Sequence, residues 1–375
     1  MKKLLYLTFV DRELDPGVFK KIKFQVNSFI RQGYDVDFTF ISGSNLYVND
    51  TKVLYLPQTK MRKLTNRFIY PDLIRHKIIK SNYDVCYIRK SYVNLSFVFF
   101  LQKLNKCVEN IVLEIPTYPY KSELKGFIKQ ILYYYELFST WFLKPYISLI
   151  TFYGGVVESI WSLPTVRLEN GVEVESITMK NDKLNHSSSN KISLIGVGNL
   201  SEWHGFERVI KAIALDKDND VVFHIVGEGN SYSYLVDLTE KLNVREKVIF
   251  HGFKSGPDLD LIFETCDVAI GSLGMYKINL YTGSTIKARE YTARGIPSVL
   301  GYKDLSFDSK CKFIYHVANN QEPLDLAAII QWYNDLESTS REIREFAYNK
   351  LSWDRQMSLV EDKLLELNNM RYRKK

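Results

Sequence analysis

Short apolar runs alternate with longer amphipathic stretches along most of this chain, and nothing else in the sequence restricts its fold as much. A strand-length apolar run followed by a helix-period segment is a βα unit, and a series of such units builds a parallel sheet covered by helices. In the first half the expected strands are Leu4–Val10, Asp35–Ile41, Val53–Leu56, Val85–Ile88, Ile111–Ile115 and Ile147–Phe152. Helices are expected over Phe19–Gln32, closed by Gly33, and over the Tyr- and Phe-rich Leu124–Leu143. The turn pair Asn170-Gly171 then leads into the polar run Glu173–Asn190, which reads as a linker. A second series follows: strands Ile192–Val197, Val221–Val226, Val248–Phe250, Val268–Ser272 and Ser298–Gly301, and helices Phe206–Leu215, Tyr232–Leu242, Asp258–Thr265 and one of about two to three turns between Thr285 and Gly295. A long helix, Trp353–Met370, ends the chain. At 375 residues there is enough chain for two domains, each with its own core, and a ligand cleft is expected between them.

Charge is unevenly divided. Residues 1–170 carry 24 Lys and Arg against 14 Asp and Glu, whereas the remainder is slightly acidic, within a net charge of +7. Between Lys60 and Lys90 nine basic residues face two acidic ones and are interleaved with Ile, Leu, Phe and Tyr. That pattern suits anionic lipid headgroups, and the expected partner is a membrane surface with no nucleic acid. No apolar run approaches the roughly 20 residues needed to span a bilayer, and Leu4–Val10 reads as a buried strand, since Asp11-Arg12-Glu13 follows with no cleavage site. Cys86, Cys107, Cys266 and Cys311 form no CxxC pair, which argues for reduced core thiols and against a zinc site. The pairs Asp35/Asp37 and Asp258/Asp260 are the carboxylate arrangements a divalent ion would use; capping explains the second better, and no metal is expected.

The segment Gly283-Ser284-Thr285 opens a helix that ends at Gly295-Ile296-Pro297. Ser284 or Thr285 can cap it, and free N–H groups at such a start, at the positive end of the dipole, bind anions. Glu290 lies in the same helix, within reach of a polar group attached to that anion. Strand ends with glycine turns precede it: Gly196-Val197-Gly198, Gly227-Glu228-Gly229 and His251-Gly252-Phe253. The first lacks the third glycine of a dinucleotide fingerprint, because Ser201 occupies that place, so a nicotinamide site is not expected. His204 sits where it can donate to phosphate, whereas His224, inside a strand, reads as a core residue.

Together these residues resemble the nucleotide-sugar domain of GT-B glycosyltransferases, in particular the large retaining family 4 (glycosyl transferases group 1), of the capsule and exopolysaccharide type. The similarity runs through Val197-Gly198-Asn199-Leu200, Gly205–Ala212, Ile225–Gly229, Val248–Phe253, Cys266–Ser272 and Lys287–Pro297. It implies two Rossmann-like α/β/α domains facing a central cleft, with the last helix returning to the first domain. The implied division is an acceptor-side domain over 1–172, a linker over 173–190, a donor domain over 191–352 and the returning helix over 353–375. It also implies that Glu290 holds the donor ribose, that Gly283, Ser284 and Thr285 meet sugar and diphosphate, and that His251, Gly252 and Phe253 contact the base. Gly198, Asn199 and Gly227 complete the donor site, and Gly17, Glu114, Thr117 and Tyr118 lie on the acceptor side.

Three positions depart from the family pattern. Its first motif glutamate falls at Thr282, its diphosphate-binding Arg and Lys fall at Asn199 and His204, and a histidine often present falls near Pro116. Lys287 or Arg289 is expected to restore the missing positive charge. The expected catalytic positions are therefore Glu290, Thr282 and His204. The implied activity is transfer of a sugar from a UDP- or GDP-linked donor, as co-substrate without further cofactor, to a lipid-linked saccharide acceptor. The setting would be surface polysaccharide synthesis at the inner face of the membrane, with retention of configuration. The rival reading is a non-catalytic GT-B subunit that partners another glycosyltransferase; an epimerase of the same fold has no carboxylate arrangement calling for it.

Overall fold

A computed structural model describes residues 1–56, 83–120, 126–181, 191–308 and 310–372. The chain divides into two compact units, Met1–Glu169 with Trp353–Lys375, and Asn170–Ser352.

Unit 1 is built on one sheet with strand order β4-β3-β2-β1-β5-β6-β7-β8. The strands are β1 (Lys2–Leu7), β2 (Tyr34–Ser42), β3 (Asn45–Val48), β4 (Thr51–Tyr55), β5 (Tyr83–Arg89), β6 (Val108–Tyr118), β7 (Leu149–Gly154) and β8 (Thr165–Leu168). All neighbours are parallel except β2/β3 and β3/β4, a meander turned at Gly43-Ser44 and at Asn49-Asp50. Leu4–Leu7 are fully or almost fully buried, as a central strand covered on both faces requires. Helix α1 (Pro16–Arg31) starts on a proline, whose fixed φ suits that position, and buries Ile22, Val26 and Phe29. It is followed by α2 (Leu95–Leu104) and α3 (Phe127–Thr140). The last helix of the chain, Trp353–Tyr372, buries Trp353, Met357, Val360 and Leu364 in the same cluster as α1 residues and β1. That spacing puts one face of a 20-residue helix on unit 1.

Unit 2 has a six-stranded all-parallel sheet, order β11-β10-β9-β12-β13-β14. Its strands are β9 (Lys191–Val197), β10 (Asp220–Val226), β11 (Val248–Phe250), β12 (Val268–Ile270), β13 (Ser298–Leu300) and β14 (Ile314–His316). Its helices are α4 (Glu207–Leu215), α5 (Tyr232–Lys241), α6 (Gly256–Glu264), α7 (Ile286–Arg294), α8 (Leu326–Asn334) and α9 (Ser340–Phe346), and Trp353–Tyr372 is then α10. The order reverses between β9 and β12, and ligands of open parallel sheets bind outside the carboxyl ends of strands at such a switch point.

Part of the expected linker is not free. Residues 173–181 pack on unit 2, where the Arg344 guanidinium donates to the carbonyls of Val174 and Ile177 and the Lys180 amine to that of Cys266. Residues 182–190 lie outside the described residues, as do residues 60–82 of the basic segment. Among the described residues no helix is long and apolar enough to cross a membrane, and Cys86, Cys107, Cys266 and Cys311 are unpaired thiols.

Candidate functional site

The carboxyl ends of β9, β10 and β11 continue into stacked glycine turns held together by backbone hydrogen bonds. Gly198 N–H donates to Val226 O (2.9 Å), Leu200 N–H to Glu228 O (2.7 Å) and Gly227 N–H to Gly252 O (2.7 Å). Only glycine fits at the contacts: Gly198 and Gly227 have φ of +153° and +126°, and a Cβ on Gly227 would stand 1.9 Å from Gly198 O. The turns enclose a cavity of about 500 Å³ lined by Gly198, Asn199, Gly227, Glu228, Phe253 and Lys254 among others.

Helix α7 brings its first turn to the same place. Thr285 caps it by accepting from Ala288 N–H, and Gly295 closes it in the left-handed conformation. From the second position of α7, the Lys287 amine reaches the Cα of Gly198: a Cβ there would meet Lys287 Nζ at 2.4 Å and His204 Nε2 at 3.4 Å. Lys287 Nζ is buried with no hydrogen-bond partner, and the Phe206 ring lies 5.8 Å from it. Burial pulls its pKa down to about 7, against the opposing pull of the Glu290 charge. His204, also buried, accepts Ser201 N–H at Nδ1 (3.0 Å), which puts its proton on Nε2, the nitrogen facing Gly198. Burial and then the Lys287 ammonium drive its pKa down to about 3, so it is a neutral donor at physiological pH. A buried amine and an imidazole N–H thus converge on one point beside Gly198, an arrangement that suits a phosphate.

The other expected residues are distributed around this point. Ser284 does not cap α7; its hydroxyl accepts Asn170 N–H (3.1 Å) and its carbonyl accepts Asn170 Nδ2 (2.8 Å), so Asn170 fastens the loop. Gly283 N–H donates to Lys303 O, and Thr282, bridged to Lys303, is exposed and offers only a hydroxyl. Glu290 is exposed on α7. Arg289 is corrected: it is fully buried, ion-paired with Asp304 and bonded to Ser306 and to Asn170 O, which leaves Lys287 as the cation of this helix that faces Gly198. His224 is corrected too: it is half-buried rather than in the core. Its ring stacks on His251 with Nδ1 2.9 Å from His251 Nε2, and burial lowers the pKa of both. Tyr291 escaped sequence reasoning, because nothing in its local pattern marks it; its hydroxyl accepts Val197 N–H (3.1 Å) and donates to Ile270 O (3.3 Å), clamping β9 to β12 at the switch point.

In unit 1, Gly17 and Thr117 are exposed and Tyr118 is half-buried. Glu114, expected on the acceptor side, is instead fully buried below the carboxyl end of β6. Its oxygens take the Arg89 guanidinium, Gln25 Nε2 (2.9 Å) and the Tyr87 hydroxyl (2.7 Å). Tyr6 and Tyr153 extend the network through Gln25, and burial raises the pKa of both phenols. As for the carboxylate pairs, Asp37 is bonded to Tyr83 and Asn49, and Asp260 to Arg294 and Thr178.

Residues 179–350 match the family model glycosyl transferases group 1. An uncharacterized glycosyltransferase of Methanocaldococcus jannaschii is 28% identical over 172 residues, 43% of this chain and 41% of that protein, so the match spans less than half of the relative. Among solved structures, Anabaena HepE in complex with UDP superposes with a TM-score of 0.61 at 15% identity, covering 98% of this chain and 100% of that one. The catalytic domain of Arabidopsis thaliana starch synthase IV, bound to ADP and acarbose, gives 0.61 at 10% identity over 98% and 99% of the two chains. Sucrose-phosphate synthase of Thermosynechococcus elongatus gives 0.55 at 11% identity over 100% and 99%. Residues 179–350 of unit 2 thus resemble the glycosyl transferases group 1 domain, and the fold of the chain is GT-B.

Proposed function

We propose that this chain is a glycosyltransferase that moves a sugar from a nucleotide diphosphate sugar to an acceptor hydroxyl, with unit 2 as the donor domain. One observation carries the reading: the buried, partnerless Lys287 amine beside the Nε2 donor of His204 at a glycine turn. Burying an ammonium without a hydrogen-bond partner is costly, and a diphosphate supplies both the bonds and a direct counter-charge. In the reaction the acceptor oxygen bonds to the anomeric carbon, the bond from that carbon to the diphosphate breaks, and the hydroxyl proton passes to the departing diphosphate. Lys287, His204 and the α7 N-terminus stabilise the charge that develops there. Glu290 holds the ribose and the His251–Phe253 turn the base. Retention of configuration, transfer of a hexose and independence from metal belong to this proposal.

The same proposal makes the donor UDP- or GDP-linked, the acceptor a lipid-linked saccharide of a surface polysaccharide, and the site of action the inner face of a membrane. Support comes from the relatives' ligands and from charge. Anabaena HepE is described in complex with UDP-glucose, one structural neighbour is a lipopolysaccharide outer core galactosyltransferase, and the basic residues gather in the first half. The test is a thermal-shift and hydrolysis panel over UDP, GDP and their sugars. Binding with slow hydrolysis of one donor supports the proposal. Binding without hydrolysis or transfer supports the non-catalytic subunit, which Thr282 motivates by replacing a carboxylate. No binding refutes the site.

A further inference from the structure

We propose that the outer face of α3 docks unit 1 on an anionic phospholipid surface. This deepens the membrane reading above and transfers the contact from the Lys60–Lys90 segment to a helix. α3 is inside out. Its buried side carries Glu136, Ser139 and Thr140, with Glu136 ion-paired to Lys90 (2.7 Å) and accepting from the Tyr120 hydroxyl (3.0 Å). Its outer side carries Phe127 (78% exposed), Ile131, Tyr134 and Phe138, and the stripe runs on past the helix end to Trp141 (81% exposed) and Phe142. Steps of three and four residues put these side chains on one face. A helix lying on a sheet normally buries such a stripe. Here the apolar face points outward, while on the inner one Glu136 is held by Lys90 and Tyr120 and the Ser139 and Thr140 hydroxyls bond carbonyls of their own helix.

Charge selects the occupant. The exposed charges along Phe127–Pro145 are Lys129 and Lys144, and the one carboxylate of this stretch, Glu136, is buried. The neighbouring α2 adds exposed Phe99, with the Lys103 ammonium 5.4 Å from its ring centre. Tyr92, just ahead of α2, donates to Leu132 O in α3 (2.8 Å), tying the two together. Phe, Tyr and Trp with flanking lysines and no exposed carboxylate is the composition of a face that sinks rings to headgroup depth while its ammonium groups meet lipid phosphate. A second copy fits worse, because a two-fold contact would set Lys129 and Lys144 against their like with no carboxylate to receive them. With 14 residues α3 is about 21 Å long, too short to cross and the right length to lie flat.

The test is co-sedimentation of the full chain with phosphatidylglycerol/phosphatidylcholine vesicles and with phosphatidylcholine alone, together with sedimentation velocity without lipid. Expected is binding to the anionic vesicles that weakens with salt. Phe127→Ser/Ile131→Ser/Phe138→Ser/Trp141→Ser should lower the affinity by more than about a hundredfold, and Lys129→Glu/Lys144→Glu by at least about fivefold per lysine. All six positions are exposed, and an unchanged melting temperature in both variants controls for folding. The inference is overturned by a wild type that leaves anionic vesicles in the supernatant at low salt, or by a quadruple variant that binds like wild type. It is equally overturned by loss of binding only when Lys60, Arg62 and Lys63 are neutralised, or by a face that instead dimerises the protein. Vesicle binding without nucleotide binding leaves this inference standing while the donor reading fails, and the reverse result separates them the other way.

Discussion

Lys287→Met should make the unliganded protein more stable and unable to bind a nucleotide diphosphate. Burial takes the ammonium from 10.5 to about 7. At ~1.4 kcal/mol per pKa unit, holding the charged form in the fold near neutral pH costs on the order of 4 kcal/mol. The folded pKa lies below the unfolded one, so between them the unfolded chain binds the proton in preference, and wild-type stability rises with pH over that window. The gain from methionine, which keeps the stem against Phe206, is therefore full below about pH 7, roughly halved by about pH 9 and gone above about pH 10.5. Allowing for lost packing, the melting temperature near neutral pH should rise by about 5–10 °C in a unit of this size. UDP at about a hundred times Kd should add about 2.7 kcal/mol to the wild type and nothing to the variant. Donor affinity of the wild type should also fall as pH rises through about 7, since the free protein then loses the ammonium; His204, with its pKa near 3, stays neutral throughout. Calorimetry at two pH values, with and without UDP, measures all of this. A Lys287→Met protein that is less stable than wild type near pH 6.5, or that keeps the full UDP shift, refutes the assignment of Lys287 to the anion site.

Three further outcomes are expected. Glu290→Ala, an exposed change on α7, should leave the melting temperature in place, lower UDP affinity by about tenfold to a hundredfold and remove most turnover; near-normal turnover would place the ribose elsewhere. Gly198→Ala forces a Cβ to within 2.4 Å of Lys287 Nζ at a φ of +153°. It should cost about 1–3 kcal/mol and abolish the UDP shift, which thermal denaturation with and without nucleotide reads directly. Asp304→Asn leaves the buried Arg289 guanidinium without its counter-charge and should destabilise by about 3–5 kcal/mol. UDP affinity measured on the folded fraction should stay unchanged, and a collapse of affinity at normal stability would return Arg289 to the site.

Much of this was readable in the sequence because it depends on local periodicity. Val248–Phe250 stands as β11, and the strand and helix expected on either side of it differ from the observed ones by one or two residues at their ends. The turns at Gly198 and Gly227 were visible because backbone crowding there admits only glycine. What escaped had no period of its own. α2, with sequence LSFVFFLQKL, is apolar nearly all round and shows no stripe, and β3 exists only because β2 and β4 flank it as antiparallel neighbours. Burial of charge escaped for the same reason. Lys287 and Arg289 stand two positions apart on one helix and look equivalent in sequence, yet one faces Gly198 without a partner while the other is sealed against Asp304. Glu114 is the same case in unit 1, a carboxylate at a strand end that turns out to anchor Arg89.

The departure at Asn199 and His204 therefore has a physical resolution that the linear pattern hides. A neutral imidazole in the turn after β9 leaves room for an ammonium that arrives from α7, and the small Gly198 is what lets it arrive. The positive charge beside Gly198 is supplied from α7 rather than from the turn after β9. Thr282 has no such substitute in view: it is exposed, bridged through its backbone to Lys303, and no carboxylate takes its place in the loop 279–285. In the proposed donor site the diphosphate end therefore has its cation in Lys287, whereas the sugar end lacks the carboxylate that the resemblance leads one to expect at Thr282. Replacing Thr282 by Glu should accordingly change which donor sugar is hydrolysed while leaving the affinity for UDP itself within about twofold; equal competition by UDP together with an altered ranking of UDP-sugars is the pattern to look for, and an unaltered ranking counts against Thr282 as the selector.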